Sequence, residues 1–416
     1  MRTGDGLLVR LRLTGGIVAA PLARAIADCA RAFGNGAIDL SARANLHIRG
    51  VSEITLAPLT KHLGELGALD ENADAEAVRN IVASPMAGLD PAALLDIRSL
   101  VRALEQRFAS DPVLYRLPPK FCVSIEDGGS FGLAELASDI RFRAYRTPNG
   151  PSFAVALGGT EQEAKFIGAC APETMAETAA ALAHAFLALR GDGFDAPRRM
   201  AALIGRVGAA AIAARVKLDA KLGPDAPHPT QTRREPPLGF HALGDGGVFG
   251  VAAPFGRWSA DSLAHLADLA EAHGAGELRL TIWRAILLPG VARESRPALA
   301  AACADLVIDP SDPRLALVAC PGAPACSSAT NSTRDDALAL AGVARRLAPK
   351  GVTLHVSGCV KGCARPSPAP VTLVARDGLY DLVLDGASRD LPAQRGLTLG
   401  ETRKFVEEMS TGTSRE

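Results

Sequence analysis

The chain has 416 residues, 48 % of them hydrophobic and 4 % aromatic, and 45 basic residues balance 45 acidic ones. Such a length allows two or more domains with a sizeable core. Balanced charge argues against nucleic-acid binding by bulk electrostatics, and so few aromatics argue against base-stacking platforms. The stretch from Met1 to Arg10 lacks the long apolar core of a signal peptide. No run reaches the roughly 18 uncharged apolar residues of a membrane span. A soluble, cytoplasmic globular protein is expected.

Residues 7–13 (Leu-Leu-Val-Arg-Leu-Arg-Leu) alternate like a half-buried strand. Thr14-Gly15-Gly16 turns the chain into a helix predicted over 21–33, and Gly34-Asn35-Gly36 ends it. A strand over 37–40 leads into Ser41-Ala-Arg43-Ala-Asn45-Leu-His47-Ile-Arg49-Gly50-Val51, and a short helix is expected over 58–66. Arg79-Asn-Ile-Val-Ala-Ser84-Pro85 then precedes a predicted helix over 91–108 and a strand over 121–125. Alanine-rich helices are expected over 173–189 and 198–216. The proline-dense stretch 223–237 forbids regular structure and marks a linker.

After the linker the pattern restarts at an offset of 240. Gly16, Gly34, Gly36, Leu40, Gly50 and Val51 fall on Gly256, Gly274, Gly276, Leu280, Gly290 and Val291 without a gap. Turn glycines in phase with strand and helix patterns indicate an internal duplication of a strand–helix–strand half-domain. The segments that follow each half-domain are also alike. Ala83-Ser84-Pro85 resembles Ala319-Cys320-Pro321, and each is followed by a helix (91–108 and 334–347) and a strand (121–125 and 352–356). A last short helix is expected over 400–409.

Four of the eight cysteines stand as Cys320-Pro-Gly-Ala-Pro-Ala-Cys326 and Cys359-Val-Lys-Gly-Cys363. Four thiolates in a glycine- and proline-rich setting suit an iron–sulfur cubane, each iron taking one cysteine sulfur. Structural zinc prefers two to four residues between paired ligands. Two disulfides do not suit a chain without a secretion signal. Zinc and unrelated buried thiols are the alternatives. Cys29, Cys170 and Cys303 read as small core residues, and Cys122 as core or pocket lining.

The motifs Arg43-x-Asn45-x-His47-Ile-Arg49-Gly50, Arg79-Asn-Ile-x-x-Ser-Pro85, Leu117-Pro-Pro-Lys120-Phe121, the C-x5-C pair and Gly358-Cys-x-x-Gly-Cys363-x-Arg365 resemble those of the sulfite and nitrite reductase family. The resemblance implies an α+β fold with two ferredoxin-like half-domains and two α+β domains. The boundaries expected are 1–70, 75–217, a linker at 218–238, 239–300, and 310–416 carrying the cluster. It implies a 4Fe–4S cluster on Cys320, Cys326, Cys359 and Cys363, beside a tetrapyrrole. Arg43, Arg49, Arg79, Lys120 and Arg365 would clamp carboxylates, with Arg43 and Lys120 at the reacting atoms. Arg suits this because its planar fork binds a carboxylate bidentately.

One position departs from the reductases. They carry a second lysine two residues after the first, where this chain has Cys122. Six-electron reduction of an oxyanion needs several cations around it, and here one is missing. Asp127-Gly-Gly and Ala319-Cys-Pro-Gly-x-Pro-x-Cys326 are closer to the family branch that makes precorrin-3B in aerobic cobalamin biosynthesis. That resemblance implies a monooxygenase acting on precorrin-3A at the junction of rings A and D, with γ-lactone formation. Its implied needs are O2, an external electron donor, the 4Fe–4S cluster and a mononuclear non-haem iron, with no nucleic acid and no membrane. The alternatives are a sirohaem-dependent assimilatory sulfite or nitrite reductase, and a non-catalytic cluster protein. The mononuclear iron ligands are not read from the sequence. His47, Glu126 and Asp127 are candidates by position, a satisfied or surface role being the alternative for each, and His355 is a candidate support for the cluster. Arg141, Arg143 and Arg146 form a further basic run, read as ordinary surface or as reaching the propionates.

Overall fold

The computed structural model of the protein describes residues 1–70, 72–218, 236–343 and 353–411. Most of the expected linker, and the end of the helix expected over 334–347, lie outside the described residues.

Among the described residues the strands form four five-stranded sheets. The first takes Arg2–Thr3, Gly6–Leu11, Leu46–Val51 and Ala37–Leu40 from the first half-domain and closes on Arg257–Ser259 from the second. Its counterpart takes Gly239–Leu243, Gly246–Ala252, Ala285–Pro289 and Glu277–Leu280, and closes on Ile17–Ala19 from the first. The half-domains therefore exchange an edge strand. Trp258 pairs with Ile38, and Val18 with Leu278. Strand alternation drives both sheets onto one core. Leu11, Ile38, Leu46 and Ile48 point inward with Trp258, Leu278, Ile286 and Leu288, and the helices Ala20–Phe33 and Ala260–His273 pack against each other over them. Trp258 is only 1 % exposed.

The duplication extends to the backbone. Gly16 and Gly256 share φ near 70° (70° and 69°), as do Gly50 and Gly290 (69° and 73°). Even the non-glycine turn residues Ala44 and Arg284 match in the left-handed region, at 55° and 60°.

The other two sheets repeat one topology. Ile81–Ala83, Val123–Glu126 and Ser138–Thr147 run parallel, followed by antiparallel Gly150–Gly159 and Lys165–Cys170. Leu317–Ala319, Leu354–Ser357 and Ala369–Arg376 run parallel, followed by antiparallel Leu379–Gly386 and Gln394–Leu397. The first is covered by Arg98–Ala109 and Met175–Arg190, the second by Thr333–Ala339 and Leu399–Thr411.

Several expectations are corrected. The helix expected over 58–66 runs Glu53–Glu65, because the capping box of Ser52 and Thr55 starts it five residues earlier and Pro58 is carried inside. The helix expected from 91 starts at Arg98, since 91–97 is a turn whose Leu94 N–H donates to the Asp127 carbonyl (2.8 Å). The helix expected over 198–216 is cut at Gly208 (φ 80°) into Met200–Val207 and Ala209–Ala213. Arg141 and Arg143 are not surface. They lie on Ser138–Thr147, 1 % and 6 % exposed, paired with Glu126 and Glu161 respectively.

Candidate functional site

The two cysteine loops leave the C-terminal ends of the parallel strands Leu317–Ala319 and Leu354–Ser357, the usual mouth of such a sheet. All four cysteines are free thiols, graded from buried Cys320 to exposed Cys363. They lie together. The Cys363 thiol is held above its ordinary pKa by burial and then by Cys359, Cys320 and Cys326. A cationic iron core would stabilise such a set as thiolates. The Gly358 N–H donates to Cys320 Sγ at 3.1 Å, the kind of contact that tunes a cluster ligand. A Cβ on Gly358 would lie 2.6 Å from the Ala329 Cβ and 3.3 Å from Cys320 Sγ, so the close approach requires glycine. Among the described residues no three His, Cys, Asp or Glu side chains converge on a point fit for a single metal ion. A cubane asks for something else, one thiolate on each iron, and the four residues fit it.

The equivalent loops of the first copy keep the cradle without the sulfurs. There the Asp127 N–H donates to Ser84 Oγ at 3.1 Å, mirroring Gly358 and Cys320. Asp90 replaces the second cysteine and accepts from the Ser130 N–H (2.5 Å).

The first sheet turns its outer face toward the cysteine loops. Across that face Arg10, His47, Asp39 and Arg257 stand in register, one per strand. Asp39 binds Arg49 (3.2 Å), Arg257 (2.5 Å) and Arg334 (3.0 Å). Burial would raise its pKa, but Arg257 and Arg334 outweigh that and bring it down to about 2. Arg49 donates further to Asp5 (2.6 Å) and to the Ala325 carbonyl, next to Cys326 (3.0 Å). It thus ties the first sheet to the loop that carries Cys320 and Cys326, where the Gly4 N–H also donates to the Ala325 carbonyl.

The residues expected as carboxylate clamps fare differently. Arg49 has these donors engaged inside the protein. So has Arg79, which binds Asp70 (2.6 Å), Glu105 (3.2 Å) and the Arg12 carbonyl (3.4 Å). Arg365 donates to the Pro368 carbonyl (3.1 Å). Lys120 is exposed, with no ion pair among the described residues. Arg43 faces the thiol of Cys122, and its Nε is buried without a hydrogen-bond partner. Cys122 itself is fully buried among Val82, Leu133, Leu136 and Ile282, and burial pushes its thiol up to about 11 against the pull of Arg43.

The three iron-ligand candidates do not converge. Glu126 is taken by Arg141 (2.5 Å) and the Leu133 N–H (2.9 Å). Asp127 accepts from the Gly129 N–H (3.0 Å), and burial raises its pKa. His47 is pushed down to about 4 by burial and by Arg10. His355 is 0 % exposed with neither ring nitrogen hydrogen-bonded, and burial together with Arg365 lowers it to about 4. Sequence reasoning missed Arg10, Asp39, Arg257 and Arg334. The alternation of 7–13 carried the signal for Arg10 and Arg12, which must share the face opposite Leu7, Val9 and Leu11.

Comparison with known proteins agrees with the duplicated fold. The family model "Nitrite/Sulfite reductase ferredoxin-like half domain" matches residues 1–66 and 241–306. "Nitrite and sulphite reductase 4Fe-4S domain" matches residues 74–222, the copy without the four cysteines. The chain belongs to the nitrite and sulfite reductase family. It is 33 % identical over 94 % of its length to a precorrin-3B synthase from Sinorhizobium sp., spanning 82 % of that protein. A ferredoxin–nitrite reductase from Synechococcus elongatus is 28 % identical over 90 % of the chain and is spanned to 78 %. In fold, the NirA protein of Mycobacterium tuberculosis superposes over 97 % of the chain and 80 % of its own, with a TM-score of 0.76 and 22 % identity. No helix among the described residues is long and apolar enough to cross a membrane.

Proposed function

We propose that the protein is a monooxygenase of the precorrin-3B synthase type, converting precorrin-3A to precorrin-3B with O2 and an external electron donor. The observation that carries this reading is Cys122. Where an oxyanion reductase needs a further cation, this chain has a thiol that is buried, neutral at physiological pH, and packed in an apolar cluster. The 33 % identity to a precorrin-3B synthase supports the same branch.

In this reading Cys320, Cys326, Cys359 and Cys363 hold a 4Fe–4S cluster, which supplies one-electron chemistry when bound. A mononuclear iron is part of the proposal without assigned ligands. Arg43 and Lys120, which form no ion pair among the described residues, bind and orient the substrate's carboxylates. Arg49 positions the cluster loop through Ala325. The apolar packing around Cys122 excludes water from beneath Arg43, which strengthens any carboxylate contact the arginine makes.

The test is the absorption spectrum of anaerobically purified protein, with iron and sulfide analysis, followed by incubation with precorrin-3A in the presence and absence of O2. Iron–sulfur absorbance without a chlorin band, and O2-dependent turnover, are expected. A bound sirohaem with reduction of sulfite or nitrite would instead establish the reductase reading, which the 28 % identity to a ferredoxin–nitrite reductase keeps in view.

A further inference from the structure

We infer that Thr333 is a tuning residue for Cys320: its hydroxyl donates to the Cys320 sulfur once that sulfur is a thiolate ligand, and so raises the reduction potential of the cluster. This rests on the cluster reading above and deepens it.

Thr333 opens the helix Thr333–Ala339 behind the first cysteine loop and is 0 % exposed. Its Oγ1 donates to the Cys320 carbonyl at 2.8 Å and lies 3.7 Å from Cys320 Sγ. A hydroxyl has a single proton to give, and here both acceptors belong to one residue. Among the described residues Oγ1 meets no other acceptor. The approach is built into the loop. Gly322, in the left-handed region at φ 67°, passes so closely that a Cβ there would lie 2.5 Å from Oγ1. The N–H groups of Ala323 and Thr333 both donate to the Asn331 carbonyl, at 2.8 and 3.0 Å, which ties Thr333 to the segment between Cys320 and Cys326. Asn331 is fixed in turn, since its Oδ1 accepts from the Gly378 N–H at 3.2 Å.

While Cys320 is a neutral thiol, the nearer carbonyl keeps the proton. A thiolate is a stronger acceptor, and its charge grows when a cluster it holds is reduced. The Gly358 N–H, 3.1 Å from the same sulfur, is fixed by the backbone. The Thr333 hydroxyl is not, because it turns about one bond without moving a heavy atom. It can therefore follow the charge. A donor that strengthens on reduction stabilises the reduced state. The first copy supplies a contrast. Ser84 stands in the place of Cys320 and keeps the amide donor, the Asp127 N–H at 3.1 Å. Among the described residues no side-chain hydroxyl donates to Ser84 Oγ. The second donor belongs to the copy that carries the sulfurs.

The experiment is a redox titration of the anaerobically purified full chain, followed by electron paramagnetic resonance, with iron and sulfide measured per chain. Thr333→Val keeps the shape of the side chain and removes the hydroxyl. At a fixed potential its ratio of reduced to oxidised cluster should fall about threefold to tenfold, tenfold being about 59 mV for one electron. Thr333→Ser keeps the hydroxyl and should titrate with wild type. Iron and sulfide should stay unchanged in both. A Thr333→Val protein that titrates with wild type would overturn the inference, and so would equal shifts in the Val and Ser variants. If Thr333→Val holds no cluster, Thr333→Ala carries the same test. Loss of iron from both, with Thr333→Ser intact, would assign the hydroxyl to holding the Cys320 carbonyl and would also overturn it. If wild type itself holds no iron and sulfide, the cluster reading fails, and this inference with it.

Discussion

Two side chains show how strongly local burial sets chemistry here. Cys122 is enclosed by Val82, Leu133, Leu136 and Ile282, and its thiol is pushed up to about 11. At pH 8 almost none of it is thiolate, and thiolate is the reactive form. Native protein treated with iodoacetamide at pH 8 should therefore carry no label on Cys122 by peptide mapping, while the unfolded chain is labelled there. His355 makes the opposite prediction for acid stability. Its folded-state pKa lies near 4, below the ordinary 6.5, so the unfolded chain binds the extra proton first. The neutral buried ring is compatible with full stability above pH 6.5, and stability falls as pH drops from there toward 4, by up to about 3 kcal/mol for this group. His355→Leu should flatten that acid limb in urea melts at pH 7 and pH 5. A variant as acid-sensitive as wild type would remove His355 as a cause. Gly358→Ala tests the cluster cradle. The added methyl meets Ala329 and Cys320 Sγ, costing about 1–3 kcal/mol of local strain. Iron and sulfide per chain should fall below wild type, while the far-ultraviolet circular dichroism spectrum stays the same.

At the scale of elements, the half-domains were legible in the sequence and their connection was not. Glycine spacing revealed the 240-residue repeat because turns with positive φ demand particular residues, and the matching angles of Gly16 with Gly256 and Gly50 with Gly290 reflect that demand. The exchange of Ile17–Ala19 and Arg257–Ser259 left no such trace. A three-residue edge strand has the same alternation whichever sheet it joins. The antiparallel strands Ser138–Thr147 and Gly150–Gly159 were missed for a related reason. Arg141 and Arg143 read as surface charges in a list of residues, and only their pairing with Glu126 and Glu161 makes them interior. The grouping of Cys320, Cys326, Cys359 and Cys363 was legible because the chemistry proposed for them restricts residue type, and the structure brings the four thiols together. The resemblance assigns Arg49 and Arg79 to a ligand, and the structure pairs both with the protein's own carboxylates, a choice that motif and charge do not encode. Trp258 measures the value of the exchanged strand. Trp258→Ala should lower unfolding free energy by about 3–5 kcal/mol in denaturant titration. A loss under about 1 kcal/mol would mean the strand is dispensable.

For the molecule as a whole, Asp39 is a hub. It sits on the first sheet and meets Arg49 of its own half, Arg257 of the exchanged strand and Arg334 of the copy that carries the four cysteines. Asp39→Asn would leave these buried cations short of charge, at a cost of about 3–5 kcal/mol. Because Arg49 also holds Ala325 beside Cys326, the same variant is expected to lose iron faster under a chelator. Unchanged iron retention would separate the hub from the cluster. The exchange of strands also has a consequence for synthesis. The strand Ala37–Leu40 emerges from the ribosome early, but Arg257–Ser259, which completes its edge, follows roughly two hundred residues later. At typical elongation rates that is a wait on the order of 10–40 s. Throughout it, nascent chains present an open β-edge to one another, the pairing template from which aggregates grow. Polysomes crowded on one message would be the place where this protein is most exposed to misassembly, and where a nascent-chain holdase has the most to protect.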